Sequence, residues 1–440
     1  MANRLLQDPF SVLKEYPEKL TDTFEIPLQG ECLQFSHGGD YLAVGCSNGS
    51  IVIYDMDTKK PISMLGNRGG SHVRSVQSVS WSQCGRYLFS SSRDWSVKMW
   101  DLKMPWRCYK GYRFDGPVWT CDILGIDANR CVATVLEQKY GFMIDFSHDI
   151  ATAVEIRDPA MELEQQEVKD YGYTLVTCLH PRLKEVIITG TSNGWVIIYR
   201  ILPQDSGFKL IKKAFIGNSN IKHIIITPYG DRVAINCSDR SIRQYSFTID
   251  EDSFEINLDL EHKYQDVINK LQWNSIAFSN HSGEYIVASA HGSSAHDLYL
   301  WETGSGTLVR VLEGPEEELL NIDWNFYNMC ITSNGLESGN VYIWSIIIPP
   351  KWSALAPDFE EVEENVEYRE KEDEFDQLDE LGHQQEQDEA EEVYIDLRTK
   401  EKFDVRGNDL SLEKFIIPTD YEGILMVKGL QATSNTSWIN

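Results

Sequence analysis

The side chains that chemistry would draw on in this 440-residue chain are ten histidines, nine cysteines and 68 acidic residues, and their spacing argues against catalysis. The histidines are dispersed. His37 and His281 fall in equivalent turns, which marks repetition rather than a metal pair. No phosphate-cradling glycine loop, nucleophile elbow or His-x-x-x-His zinc pattern occurs. Gly304-Ser305-Gly306 reads as a hairpin turn. The cysteines are odd in number and include no Cys-x-x-Cys pair. Cys46, Cys131 and Cys237 sit in strand patterns, where a thiol packs as a small hydrophobe, so a reducing compartment is expected. Carboxylates crowd residues 358–396, but a charge run fixes neither the separation nor the burial that tunes a pKa for acid–base work. The expectation is a chain that is not an enzyme and needs no metal or cofactor.

What remains is charge, and it is unevenly spread. The chain carries −28 in all, and residues 358–396 hold 19 Asp and Glu against Arg369 and Lys371, or −17. Residues 59–113 carry 11 Lys and Arg against two acids, or +9, among them Arg93, Lys103 and Arg107. Residues 200–245 carry eight against three, or +5, among them Lys209, Lys212, Lys213, Lys222 and Arg243. Surfaces of this kind suit phosphate, where each neutralised group adds salt-dependent affinity. Ordinary solvated loop charge is the plainer alternative. No signal peptide opens the chain, and no apolar run is long enough to span a membrane.

The elements that position these groups follow from one repeated phrase. Leu88-Phe89-Ser90-Ser91-Ser92-Arg93-Asp94-Trp95-Ser96-Val97-Lys98-Met99-Trp100-Asp101 reads as a strand, a tight turn at Arg93-Asp94, and a second strand closing on an aromatic–acid pair. Looser copies close at Tyr54, Ile144, Tyr199, Tyr245, Trp301 and Trp344, and the successive intervals are 46, 44, 55, 46, 56 and 43 residues. A period in the forties with four short strands per unit is the signature of WD-repeat propeller blades, and seven units close a ring. The Gly-His half of the ideal repeat is read as missing. By this count the two basic sectors fall in the second and fifth blades.

Taken in order, residues 1–20 are expected to form an arm with Leu5, Leu6, Phe10, Val12 and Leu13 on an apolar face. Residues 21–346 form the seven-bladed propeller, an all-β ring, and residues 23–28 supply an outer strand that joins the last blade and hides its edge. Blades three and four deviate most, at residues 137–140 and 157–170. Pro349-Pro350 punctuates the exit. Low hydrophobicity and high charge over the following stretch predict disorder in isolation and ordering on a partner, because apolar residues are threaded through it. Residues 398–440 form an extension in which 412–427 are expected to return as strands packed on a propeller.

The exit segment Trp352-Ser353-Ala354-Leu355-Ala356-Pro357-Asp358-Phe359-Glu360-Glu361-Val362-Glu363-Glu364-Asn365-Val366-Glu367-Tyr368, followed by Glu372-Asp373-Glu374-Phe375-Asp376, carries a family resemblance. It is similar to the segment after the propeller in the retinoblastoma-binding-type WD-repeat subunits of COMPASS and mixed-lineage-leukaemia histone methyltransferase complexes. The ring resembles them too, at Leu42-Ala43-Val44-Gly45-Cys46, Gly283-Glu284-Tyr285-Ile286-Val287-Ala288 and Leu298-Tyr299-Leu300-Trp301-Glu302. The likeness covers residues 1 to about 397, and the short, Tyr-rich tail suggests the fungal form.

The resemblance implies a nuclear, non-catalytic scaffold for methylation of lysine-4 of histone H-three. Residues 347–380 would bridge and activate a SET-domain methyltransferase together with a SPRY-domain subunit, through Trp352, Leu355, Pro357, Phe359, Glu363, Glu364, Val366, Glu367, Tyr368, Glu372, Glu374 and Phe375. Residues 381–397 would dock on a second WD-repeat subunit through Glu391, Glu392, Val393, Tyr394 and Ile395, with Val393 in a small pocket. Arg93, Lys103, Arg107, Lys209, Lys212 and Lys213 are candidates for nucleosome or DNA contact, from charge alone. A stand-alone reader of histone-tail peptides and a ubiquitin-ligase substrate receptor are the alternatives.

Overall fold

β-Branched and aromatic residues dominate the third strand of each repeat, as in Ile51-Val52-Ile53-Tyr54 and Trp195-Val196-Ile197-Ile198-Tyr199, and they set the strands. The runs are apolar on both faces because each sheet is sandwiched between two others. The computed structural model describes residues 16–124, 129–159, 171–202, 207–249, 255–266, 270–279, 282–292, 296–346 and 415–436, the side chains of 431–436 excepted.

The described strands form seven four-stranded antiparallel sheets, the blades of a ring. The first blade is β2 (Gly30–Phe35), β3 (Tyr41–Cys46), β4 (Ile51–Asp55) and β5 (Lys60–Leu65), from innermost to outermost. The second is β6 (Val76–Trp81), β7 (Tyr87–Ser92), β8 (Ser96–Asp101) and β9 (Lys110–Arg113). The third is β10 (Val118–Leu124), β11 (Arg130–Val135), β12 (Phe142–Asp145) and β13 (Thr152–Glu155). The fourth is β14 (Thr174–Leu179), β15 (Val186–Thr191), β16 (Trp195–Ile201) and β17 (Phe208–Phe215). The fifth is β18 (Ile221–Ile226), β19 (Arg232–Cys237), β20 (Ser241–Ile249) and β21 (Ile256–Tyr264), and the sixth is β22 (Gln272–Phe278), β23 (Tyr285–His291), β24 (Leu298–Glu302) and β25 (Leu308–Leu312).

The seventh blade, β26 (Leu319–Asn325), β27 (Cys330–Gly335) and β28 (Val341–Ser345), is completed by β1 (Lys19–Phe24) from the other end of the chain. The closing strand was expected at residues 23–28. It begins four residues earlier, with Lys19 opposite Ser345 and Phe24 opposite Val341, so Lys19 and Leu20 belong to the ring and not to the arm. Pro27 has no N–H to give to a ladder, which confines the strand to the residues before it.

Apolar clusters fill the gaps between blades. Phe24, Ile343 and Val341 of the seventh meet Leu42, Val44 and Tyr54 of the first. Trp100 and Leu88 of the second meet Ile51, Ile53 and Leu65 of the first. The inner strands are also laced by polar side chains. Asp323 of β26 accepts the Phe35 N–H of β2 at 2.6 Å, Gln34 of β2 accepts the Trp81 N–H of β6 at 3.2 Å, and Ser80 of β6 bonds Asp122 of β10 at 3.1 Å. Burial raises the carboxyls of both Asp122 and Asp323, the latter to about 7, against the donors that favour their ions.

The described part of the extension, residues 415–436, forms no strand. Residues 421–436 form a helix, α1 (Tyr421–Thr436), packed on β5 of the first blade. The Asp420 carbonyl accepts the Ile424 N–H at 3.0 Å, and the Asp420 carboxylate takes the Asn67 side-chain amide at 2.7 Å. Gly423 and Val427, four apart, face the blade, a helical spacing that the poorly alternating Ile424-Leu425-Met426-Val427 run permits. A Cβ on Gly423 would press on the Met64 backbone at 3.0 Å, so the close approach needs glycine. Val427 and Ile417 are buried in the ring's own clusters.

Candidate partner-binding surface

The turn between β7 and β8 is held upright by a buried network that the sequence reading missed. His72 Nδ1 lies 2.9 Å from the Asp94 carboxylate, and His72 Nε2 lies 2.7 Å from Ser90 Oγ, which also accepts the Trp100 indole N–H at 2.9 Å. Asp94 further accepts from the backbone N–H groups of Val73 and Ser96, each at 3.0 Å. The Gly-His half of the repeat is therefore present in this blade, as Gly70-Ser71-His72. One inserted residue hid it.

Ser90, His72 and Asp94 have the connectivity of a hydrolase triad. They lack its access. Ser90 is 0% exposed and His72 2%, and the serine oxygen already accepts the Trp100 indole N–H. Burial lowers the proton affinity of His72, with the Asp94 bond opposing, so the ring is neutral and donates from Nδ1. Desolvation would raise Asp94, yet its donors overturn that and hold the carboxyl well below the usual range. This is a structural clamp on the turn.

The same turn carries an unusual residue. Trp95 has a φ of 72°, a left-handed conformation that Gly49 supplies in the first blade and Gly194 in the fourth. The positive φ thus falls on Trp95, one residue beyond the tight turn read at Arg93-Asp94. An indole there costs on the order of 1 kcal/mol relative to glycine. Trp95 is 41% exposed, and the Arg113 guanidinium stacks over its ring at 5.9 Å. Beside it, Arg93 lies over Trp119 of the third blade at 6.0 Å, and Val73 is 84% exposed.

Arginines at the opposite end of the blades are treated differently. Arg86 makes a two-pronged bond to Asp101 at 2.7 and 3.0 Å, while Arg130 pairs with Asp145 at 2.9 Å and Arg200 with Glu185 at 3.0 Å. Each pair ties the second strand of a blade to the third. Arg74, Arg93 and Arg113 have no ion pair with any described residue.

The six cations proposed from charge do not form one patch. Arg93 precedes β8 and Lys103 follows it, at opposite ends of that strand, and Arg107 lies on the loop to β9. Lys209, Lys212 and Lys213 are on β17, the outermost strand of the fourth blade and not in the fifth. Lys212 is committed to the Ile256 carbonyl, and Lys213 to Tyr171, over whose ring its ammonium sits at 4.8 Å. Lys209 is exposed. The residues expected to meet the SET, SPRY and second WD-repeat partners, 352–375 and 391–395, lie outside the described residues. Among the described residues no group of His, Cys, Asp or Glu is placed to hold a metal, and no helix is long and apolar enough to cross a membrane. All nine cysteines are free thiols.

Seven four-stranded blades, closed by the chain's own N-terminal strand and clamped at one turn by Trp, Ser, His and Asp, define a WD-repeat β-propeller. The WD domain, G-beta repeat, family matches residues 30–55 and 63–101, the first two blades. The chain is 58% identical over 429 residues to COMPASS component SWD1 of Saccharomyces cerevisiae, covering 97% of this chain and 99% of that one. It is 38% identical to Set1 complex component swd1 of Schizosaccharomyces pombe, over 84% of this chain and 89% of that protein. Among solved structures, the β-propeller domain of Cps50 (Swd1) from Myceliophteria thermophila superposes with a TM-score of 0.67 at 31% identity, covering 75% of this chain and all of that one. The chain belongs to the Swd1 family, the fungal form that the tail motif suggested.

Proposed function

We propose that this chain is a non-catalytic scaffold subunit of a COMPASS-type histone methyltransferase complex and works in the nucleus. The observation that carries the reading is the 58% identity running through 97% of the chain, too much to leave out the acidic segment. In this reading residues 347–380 hold the SET domain in a productive arrangement with the SPRY subunit, and residues 381–397 dock on a second WD-repeat subunit. The scaffold supplies no reacting group. It reduces the ordering that the catalyst must undergo at the transition state. Of the six candidate cations, Arg93, Lys103, Arg107 and Lys209 are exposed and are those through which the ring would meet nucleosomal phosphate.

The test is a reconstituted methyltransferase assay comparing the full chain with one stopped at Pro350. Turnover should collapse although the truncated ring still folds, its unfolding midpoint lowered by the loss of Ile417 and Val427 from its clusters. Unchanged turnover would overturn the role given to the segment.

A further inference from the structure

The end of the second and third blades that bears Trp95 exposes indoles and guanidiniums that no carboxylate of the described residues neutralises. Trp95 occupies a left-handed position that the first and fourth blades fill with glycine and the fifth with Arg240, and it exposes 41% of its surface there. A residue that opposes the local backbone preference and points to solvent gives the fold nothing that glycine would not. Around it lie Arg93 on Trp119, Arg113 on Trp95, Arg74, and Val73 at 84% exposure. A guanidinium held beside an indole by cation–π attraction spends none of its N–H donors on that contact, which leaves them available to a planar anion.

We propose that this surface binds an acidic peptide of a partner protein, one in which carboxylates flank an aromatic or aliphatic anchor. The arginines would take the carboxylates, and Val73 with the two indoles would take the anchor. Trp and Arg are the residue types that dominate such contacts. The surface is less suited to a nucleic-acid duplex. Phosphates gain nothing from an exposed valine, and on the same face of the ring the sixth and seventh blades present Glu313, Glu316 and Glu337, all exposed. Asp94 does not compete for the arginines because His72, Val73 and Ser96 occupy it, whereas Asp115, on the loop after Arg113, is exposed. The inference goes beyond the scaffold reading and does not use residues 347–397.

The experiment measures binding of the full chain to a library of eight-residue peptides with four fixed glutamates and one variable apolar position. Peptides with an aromatic or leucine anchor should be selected over those with serine there. Trp95→Gly should weaken the best of them about tenfold while leaving the thermal midpoint equal or higher. Arg93→Ala with Arg113→Ala should weaken it similarly and flatten its salt dependence. The proposal is overturned if no anchored peptide outbinds its serine control, or if Trp95→Gly binds equally well. It is also overturned if a short DNA duplex binds through Arg93 and Arg113 without regard to Trp95, which would make this a phosphate site. None of these outcomes bears on the assay of the chain stopped at Pro350, so the two readings fail separately.

Discussion

Arg86 and Arg93 lie seven residues apart, at opposite ends of β7, and the protein uses them in opposite ways. Arg86 is locked in a fork with Asp101, a carboxylate only 4% exposed, and the third and fourth blades pair Arg130 with Asp145 and Arg200 with Glu185 at the same end. Arg93 rests on the indole of the next blade with no carboxylate of the described residues to neutralise it. In the second blade one end joins its own strands with an ion pair and the other leaves its arginines unpaired, whereas at that same end of the fifth blade Arg243 pairs with Asp239. Counting positive residues along the chain conflates the two, because a charge is informative only once its partners are known.

The comparison can be broken or sharpened by measurement, beginning with the clamp that sets the unpaired end. Trp100 is 1% exposed and bonds Ser90, so Trp100→Ala should cost about 3–5 kcal/mol in denaturant unfolding and loosen the Trp95 turn. A loss below 1 kcal/mol would mean that the turn is held otherwise.

The next test contrasts a carboxylate that has an arginine with one that has none. Desolvation would raise Asp101, but the Arg86 bonds and the Lys103 N–H hold it low in the folded chain, so its stabilisation is fully present above the usual carboxylate range and lost as pH falls below that range. Asp323 is raised by burial to about 7 in the folded chain, so the folded state binds the extra proton and stability should fall as pH rises from about 4 through 7. Asp323→Asn should flatten the unfolding midpoint over that upper window. An unchanged slope there would contradict the assignment.

Arg86→Ala should cost about 1 kcal/mol, since the arginine is partly exposed while its partner is not. Arg93→Ala should change stability by less than about 0.5 kcal/mol, because it leaves no ion unpaired. Equal losses at the two positions would erase the distinction between the two ends.

Much of the ring was legible beforehand. The closing residues Tyr54, Trp100, Ile144, Tyr199, Tyr245, Trp301 and Trp344 fall on the third strands of successive blades, because the signal of a strand and its hairpin is local and recurs with each unit. The ring's closure was foreseen but its register was not. Which residues of the first two dozen meet β28 depends on a partner more than 300 positions away. Residues 412–427 were misassigned because a short apolar run does not declare its period. The face of β5, where a glycine lets a helix axis come close, decided for α1.

By itself, then, the sequence determined seven repeats, their order, the absence of a recognisable catalytic motif and the segregation of acid from base along the chain. Each of these is set by composition or by spacing within one unit. Only the tertiary structure decided that His72 reaches Ser90 and Asp94, that Arg93 finds Trp119 in another blade, and that Lys213 settles on Tyr171. Those contacts join residues from separate strands and loops. Their existence depends on how neighbouring sheets twist and stack, which no local pattern encodes.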